Sequence, residues 1–209
     1  MSLDPGDEAL NHDVASWCDA ATVMANGDHG TPGAGNDACG GGGPQVVYPD
    51  DIVFTEVMQN PAAVADEDGE YFEMLNLTAN PIDLSGCVFS DAGSDSFTVS
   101  GSLVVGAGDR VVLGRNADLA TNGGISVQYE FGGMSLGNTD DELILTCGLT
   151  EVDNIAWDDG VDWPDPTGSS MNLDEAFTLQ NGVGANWCAS STTMVNGDNG
   201  TPGVVNDAC

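Results

Sequence analysis

The chain contains no lysine and only two arginines, Arg110 and Arg115, against 34 acidic residues. Its formal net charge is −32 at pH 7. Proteins bind nucleic acids largely by neutralising phosphates with Lys and Arg, so this composition argues against DNA or RNA binding. Because so many carboxylates repel one another, we expect the folded chain to need diffuse salt or bound divalent cations, as in a salty or calcium-rich medium.

Histidines and long apolar runs are also scarce. His12 and His29 are the only histidines, so residues 40–209 contain none. No stretch of about 18 apolar residues exists, and we therefore expect no membrane insertion. Met1 is followed by no basic region or apolar run, so the chain does not start with a signal peptide, and we expect the signal of an exported parent protein to lie upstream.

A segment of 23 residues occurs twice, at 17–39 and at 187–209, with a constant offset of 170. Fifteen of its positions are identical, which chance does not produce. In the second copy these are Trp187, Cys188, Thr192, Met194, Asn196, Gly197, Asp198, Gly200, Thr201, Pro202, Gly203, Asn206, Asp207, Ala208 and Cys209. Repeats of this period are whole domains, so we predict that residues 1–39 are the C-terminal tail of a preceding repeat unit, residues 40–50 a Gly-rich linker, and residues 51–209 one folded domain.

Six cysteines in an acidic, lysine-free chain indicate disulfides and an oxidising compartment, so we predict an extracellular or cell-surface protein. The repeat gives the two cysteines of each copy the same role. The most economical pairing is therefore Cys18–Cys39, Cys188–Cys209 and, by exclusion, Cys87–Cys147. Zinc is disfavoured, because no two cysteines lie within four residues of each other and no histidine recurs.

From Asp51 onward the sequence reads as short strands separated by Gly, Asn and Asp turns, with no sustained helical periodicity. The predicted strands are 52–58, 71–75, 82–89, 96–105, 110–113, 126–131, 142–147, 152–157 and 176–179. About nine strands in one domain favour an all-β fold, an immunoglobulin-like antiparallel β-sandwich stabilised by disulfides.

Three ordered motifs carry a family resemblance. They are Ile52 to Met58 followed by Asn60-Pro61, then Gly69 to Asn76, and then Pro81 to Gly86. Residues 51–209 resemble the lamin tail domain, specifically its secreted bacterial branch. The resemblance implies a sandwich without known catalysis that serves as an interaction module in exported, often repeated or multidomain proteins, some carrying nuclease or hydrolase domains. No coiled-coil heptads precede the domain and disulfides are foreign to a nuclear protein, so filament assembly and nuclear partners do not carry over.

Two patterns are candidates for catalysis. Residues 133–137 match the Gly-x-Ser-x-Gly nucleophile elbow, which needs a strand, a strained turn, a helix and a histidine base. The helix and the histidine are missing, so we interpret the match as a hairpin loop. Glu56, Glu70 and Glu73 offer paired acid and base groups for glycoside hydrolysis, but they belong to the strand motifs, where we expect them to bind turn amides. We therefore predict that the chain is not an enzyme.

Calcium is the sharpest binding hypothesis, because this ion takes about six to eight oxygen ligands in turn-rich frames. Three acidic loops offer such oxygens, and none matches the full EF-hand pattern. The candidate ligands are Asp66, Asp68 and Glu70 in the first loop, Asp158 and Asp162 in the second, and Asp198 in the third. The alternative is that these loops are merely solvated, as most charged runs are.

Trp157 and Trp163 flank the second loop and are candidates for stacking on sugar rings, although large aromatics in a small sandwich are more often part of the core. We predict a non-catalytic adhesion, docking or spacer module of an exported bacterial surface protein. Its partners would be neighbouring repeat units and an unknown protein or surface glycan. The alternative is a carbohydrate-binding accessory of a secreted hydrolase or nuclease.

Overall fold

The computed structural model describes residues 47–209, the backbone of residues 2–3 and 17–18, and residues 29–30. The chain divides into two compact units, Met1–Val46 and Val47–Cys209. In the first unit, strands β1 (Ser2–Leu3) and β2 (Trp17–Cys18) pair antiparallel. The predicted disulfide Cys18–Cys39 falls outside the described residues.

The second unit is built almost entirely from short strands. Its α-helical turn is α1 (Asp66–Gly69), and two 3-10 segments cover Glu175–Gln180 and Gly184–Asn186. The strands are β3 (Ile52–Met58), β4 (Tyr71–Asn76), β5 (Ile82–Asp83), β6 (Val88–Ser90), β7 (Ser96–Thr98), β8 (Val104–Val105), β9 (Arg110–Gly114), β10 (Tyr129–Glu130), β11 (Asp140–Cys147), β12 (Thr150–Asp158), β13 (Met171–Leu173) and β14 (Trp187–Ala189). In the part of the chain that the structure describes, no helix has the length and hydropathy to cross a membrane.

Ten of these strands form two main sheets. One sheet has six strands in the order β10-β9-β4-β3-β13-β14, and the other has four in the order β12-β11-β6-β7, while β5 and β8 pair separately. Neighbouring strands are antiparallel, except that β10 runs parallel to β9. This architecture confirms the predicted all-β, immunoglobulin-like sandwich.

Aromatic side chains line the core between the two sheets. The ring centroids of Phe54 and Phe72, on β3 and β4, lie 5.6 Å apart, and Phe72 lies 5.2 Å from Phe89 of β6. Because side chains alternate across a strand, Tyr71 and Glu73 lie on the opposite face of the six-stranded sheet from Phe72. That face is buried as well, since all seven residues of β3 are buried.

The end of the chain covers this second face. We call residues 187–209 the C-terminal segment. A small apolar cluster on the covered face comprises Met58, Tyr71, Val112 and Ile125, with Met194 of the C-terminal segment packed against it. The six-stranded sheet is therefore sandwiched between the four-stranded sheet on one side and the C-terminal segment on the other.

Two of the three predicted disulfides are confirmed. Cys87–Cys147 joins the residue before β6 to the end of β11, with the Cα atoms 4.3 Å apart. Cys188–Cys209 ties β14 to the far end of the C-terminal segment, with the Cα atoms 5.7 Å apart. The first bridge thus fastens two strands of the four-stranded sheet, and the second closes the C-terminal segment on itself.

The strand predicted at 176–179 is wrong. These residues belong to the 3-10 segment Glu175–Gln180, and the side chain of Asp174 accepts a hydrogen bond from the Ala176 amide at its start. An aspartate in this position favours a helical turn. Phe177 and Leu179 are 38% and 66% exposed, so no buried apolar face holds the segment in a sheet.

Two long predicted strands are each broken in two. Residues 82–89 contain β5 and β6, and residues 96–105 contain β7 and β8. Gly86 and Gly101 lie at the breaks with φ angles of 79° and 78°. A left-handed residue interrupts an extended strand, so the chain turns there from one sheet to another. The strand predicted at 126–131 is likewise reduced to β10.

Replacing Cys87 and Cys147 by alanine should lower the free energy of unfolding by about 4 kcal/mol, because the cross-link across a sequence separation of 60 no longer restricts the unfolded chain. Urea denaturation followed by tryptophan fluorescence measures the change. The matched control is Cys188→Ala with Cys209→Ala, whose separation of 21 predicts a smaller loss of about 3 kcal/mol. A larger loss in the control would contradict the prediction.

Candidate functional site

Two glutamates lie opposite each other on the central strands of the six-stranded sheet. Glu56 of β3 is the register partner of Glu73 of β4, and both are 0% exposed. We call these two residues the glutamate pair. Like charges opposite each other weaken a sheet, and a buried carboxylate is costly unless it is hydrogen-bonded, so the surroundings have to compensate for both effects.

Glu56 accepts four hydrogen bonds. Its Oε1 accepts from the Tyr71 hydroxyl at 2.7 Å, from the Ser170 hydroxyl at 2.5 Å and from the Thr201 amide at 2.7 Å. Its Oε2 accepts from the Thr201 hydroxyl at 3.1 Å. A Cβ on Gly200 would overlap the Tyr71 hydroxyl and lie 3.0 Å from Glu56 Oε1, so the close approach of the C-terminal segment requires glycine at this position.

Glu73 is held by one cation and two neutral donors. Its Oε1 accepts from Arg110 and from the Thr55 hydroxyl, both at 2.8 Å. Its Oε2 accepts from the Gly203 amide at 2.6 Å. Arg110 also pairs with Glu175, so one guanidinium bridges a fully buried carboxylate and a partly exposed one. Charge-assisted hydrogen bonds of this kind are stronger than neutral ones.

Asn206 fastens the C-terminal segment to the sheet next to the glutamate pair. Its side-chain amide donates to the backbone carbonyls of Thr55 at 2.7 Å and Leu173 at 2.9 Å. Its backbone amide donates to Glu175 at 2.8 Å. One buried asparagine therefore joins β3, β13 and the 3-10 segment that follows β13.

Two aspartates hold the loops of the same region. Asp198 accepts from the amides of Ala62 and Ala63 at 3.1 and 3.0 Å. Asp207 accepts from the hydroxyls of Thr192 and Ser190 at 2.6 and 2.7 Å. The Thr192 hydrogen bond, with others from Ser190 and nearby amides, holds the pKa of Asp207 below its usual range. These carboxylates act as structural hydrogen-bond acceptors.

Burial dominates the titration of the glutamate pair. Loss of solvation raises the pKa of Glu56, although its four hydrogen bonds oppose the rise. Burial, followed by the neighbouring Glu56, raises the pKa of Glu73 to about 7, while Arg110 acts in the other direction. Burial and then Glu56 raise the pKa of Tyr71 well above its usual value. The pair therefore holds protons more readily than exposed glutamates do.

Two further buried carboxylates behave in the same way. Asp153 accepts from the Phe54 amide and from the Asn181 side chain, both at 2.7 Å, and burial raises its pKa to about 7. Glu70 pairs with Arg115 at 3.2 Å, and burial raises its pKa to about 7. Both arginines of the chain are thus directed at buried glutamates.

The first predicted calcium loop forms the helical turn α1 instead of an open ligand loop. Asp66 accepts a hydrogen bond from Asn138 at 3.0 Å, and Asp68 accepts one from Asn116 at 2.8 Å. Glu70 is occupied by Arg115. The three carboxylates are therefore engaged with three different partners.

The other two acidic loops use carboxylates to hold backbone amides. Asp158 accepts from the amides of Asp162 and Trp163, each at 3.0 Å, and Asp198 holds the amides of residues 62 and 63. Across the described residues, no group of three histidine, cysteine or acidic side chains is placed to hold a metal ion. Calcium binding stays a prediction.

Both tryptophans proposed to stack on sugars are buried in the structure. Trp157 and Trp163 are 3% and 7% exposed, and the Trp163 ring centroid lies 5.2 Å from that of Trp187. Core packing thus covers both indoles. Trp163 also lines an open pocket of about 320 Å³ together with Asp162 and residues 182–185.

The Gly-x-Ser-x-Gly match at 133–137 is not the predicted hairpin loop. It joins β10 in one sheet to β11 in the other. The Leu136 amide donates to Glu70 at 2.9 Å, and the Gly137 amide donates to Asp141 at 2.6 Å. A strand follows the match, so the strand-turn-helix geometry of a nucleophile elbow is not formed here.

Residues 47–159 match the sequence model of the Lamin Tail Domain. The chain belongs to the lamin tail domain family. The match confirms the family that the strand motifs predicted, and lamin tail domains are non-catalytic, immunoglobulin-like modules. A search of curated proteins finds no match to the chain.

The lamin tail domain match ends before the C-terminal segment begins. The glutamate pair lies inside the matched region. Three donors to the pair, Ser170, Thr201 and Gly203, lie beyond it. The residues that close the buried carboxylates of this lamin tail domain are therefore supplied by a stretch that the family match does not include.

Sequence reasoning pointed to the glutamate pair but missed its partners. Arg110, Ser170 and Glu175 were not anticipated, because donors more than 30 residues away from their acceptors leave no local pattern. One signal was available. The only charged residue of the strand Ile52–Met58 is a glutamate, and the Gly-Thr-Pro-Gly sequence recurs in both copies of the repeat. A charge in a buried strand needs a partner, and a recurring turn offers free amides.

We predict that the melting temperature of the domain is higher at pH 5 than at pH 8. Glu70, Glu73 and Asp153 have folded-state pKa values raised to about 7. A raised pKa means that the folded state binds protons more tightly than the unfolded state. The stabilisation is complete below the unfolded-state pKa of about 4 and is lost as the pH rises toward 7. The lowered pKa of Asp207 acts only at more acid pH.

Thermal unfolding between pH 5 and pH 8, in 0.5 M NaCl to screen general repulsion, measures this dependence. The matched control is Asp153→Asn, which removes one of the three titrating groups and should flatten the profile. The control keeps an acceptor for the Phe54 amide. A melting temperature that is constant or that rises with pH would show that the buried carboxylates ionise normally.

Proposed function

We propose that this lamin tail domain is a non-catalytic interaction or spacer module of an exported bacterial surface protein built from repeated units. The carrying observation is the state of the glutamate pair. Both carboxylates are 0% exposed and lie under the C-terminal segment. An acid-base pair has to reach a substrate. These two groups instead hold the structure together.

Export is supported by the disulfides. Cys87–Cys147 and Cys188–Cys209 lie in the folded unit, and such bonds persist in oxidising compartments. The repeat of 23 residues at an offset of 170 supports a protein in which this unit occurs more than once. A disulfide-closed sandwich strung in series suits a spacer that carries a binding surface away from a cell.

The surface charge suits a medium that supplies cations. The chain has 34 acidic residues, and its two arginines are already paired with Glu70 and Glu73. The remaining carboxylates therefore face solvent with no lysine to offset them. Repulsion of this kind is relieved by counterions, and it favours a partner that is basic or reached through bound cations.

The non-catalytic role is tested with Glu56→Gln and Glu73→Gln in the full chain. We expect no turnover of polysaccharide, phosphodiester or peptide substrates by the wild-type chain. We also expect beads coated with the chain to attach to cells or surface glycans, with reduced and alkylated chain as the control. Turnover that disappears in a folded Glu56→Gln variant would contradict the proposal.

We further expect salt to stabilise the domain. Raising NaCl from 20 mM to 1 M should raise the melting temperature by several degrees, because the screening length falls from roughly 20 Å to about 3 Å. Adding a chelator at constant ionic strength then tests calcium at the loop that contains Asp66, Asp68 and Glu70, with Asp68→Asn as the matched variant. An unchanged melting temperature with the chelator removes the calcium hypothesis and leaves only screening.

A carbohydrate-binding accessory is the second candidate, and one observation favours it. The pocket of about 320 Å³ is lined by Trp163 and by the exposed Asp162, a combination of an apolar wall and a polar group that small ligands use. A glycan array with the full chain tests this. Binding lost in Asp162→Ala but retained in Asp165→Ala, a neighbour that does not line the pocket, would favour carbohydrate binding.

A further inference from the structure

The positions repeated at 17–39 are the ones that dock the C-terminal segment. Thr201 and Gly203 reach the glutamate pair, and Asn206 reaches the carbonyls of β3 and β13. Gly200 leaves room for the approach. All four recur at the same offset of 170, as Thr31, Gly33, Asn36 and Gly30. The docking chemistry of the C-terminal segment is thus written twice in the chain.

The positions that differ between the two copies lie mostly away from the sheet. Eight of the 23 positions differ. Six of them are exposed in the C-terminal segment, namely Ala189, Ser191, Thr193, Val195, Val204 and Val205. Asn199 is half-buried, and Ser190 is the one buried position that changes. Identity therefore follows contact with the sheet rather than position along the segment.

The strand pairing of the first unit repeats that of the second. Ser2 pairs with Cys18 and Leu3 with Trp17, whereas in the second unit residues 172 and 173 pair with residues 188 and 187. The register is the same at an offset of 170. In the second unit β13 also pairs with β3, where Asn172 lies opposite Glu56. A β1–β2 ribbon therefore carries the strand that, in its second copy, lies next to a buried glutamate.

We propose that residues 17–39 form a second closing segment, which binds the glutamate pair of another copy of this domain. The proposal rests on the proposed function as a repeated module. Thr31 and Gly33 would donate to the two carboxylates, and Asn36 would donate to the strand carbonyls. In a string of such domains, a segment of this kind closes a unit other than the one that follows it.

The first test is a graft within the full chain. The C-terminal segment receives the sequence of residues 17–39 through eight changes: Ala189→Asp, Ser190→Ala, Ser191→Ala, Thr193→Val, Val195→Ala, Asn199→His, Val204→Ala and Val205→Gly. We expect the melting temperature to stay within about 5 °C of wild type, since Ser190→Ala removes only one buried hydroxyl that bonds Asp207. The control graft adds Thr201→Val and Asn206→Ala and should melt at least 10 °C lower.

A graft that melts as low as its control would overturn the proposal, because the sequence of 17–39 would then be unable to serve the glutamate pair. The proposed function is judged separately, by the attachment of wild-type chain to cells or glycans. A failed graft with normal attachment would therefore remove the closing role of 17–39 and leave the interaction module intact.

The second test measures binding between molecules. The receiver is the full chain with Thr31→Val, Asn36→Ala, Thr201→Val and Asn206→Ala, so that neither of its own segments docks. The probe is an oxidised synthetic peptide of residues 17–39, titrated by calorimetry, and the control peptide carries Thr31→Val and Asn36→Ala. Binding at least 10-fold tighter for the native peptide supports the proposal, and equal or absent binding overturns it.

Discussion

Hydrogen bonds from backbone amides to two buried carboxylates are the constraint on which the rest of this domain depends. Glu56 and Glu73 lie side by side in the middle of a sheet, where water does not reach them. Without donors, either carboxylate would be very costly to bury. Thr201 and Gly203 provide those donors from the far end of the chain, so the C-terminal segment is an integral part of the fold.

The same constraint explains where the positive charge goes. A chain with 34 acidic residues and two arginines directs both arginines to buried glutamates, Arg110 to Glu73 and Arg115 to Glu70. Ion pairs at the surface contribute little, whereas breaking a buried pair by removing one partner is strongly destabilising. The outer surface is then left to counterions, which accords with a life outside the cell in a medium with ample cations.

Local chemistry was predictable where neighbours in sequence decide the outcome. The strand Ile52–Met58, the sandwich class and two disulfides follow from β-branched runs, turn residues and the repeat, and the structure confirms them. The strand predicted at 176–179 failed because an aspartate cap and exposed side chains favour a 3-10 turn. The acidic loops were taken for metal ligands because composition shows oxygens but not the amides and side chains that occupy them.

By itself, the sequence determined that this is an oxidised, acidic, all-β unit of a repeated protein, because periodicity, charge and cysteine spacing are properties of neighbouring or repeated residues. It also marked the docking residues of the C-terminal segment through their recurrence. Only the tertiary structure decided what those residues touch. Glu56 meets Ser170 and Thr201 across 114 and 145 residues of chain. Contacts of that range come from how strands align, which no local pattern encodes.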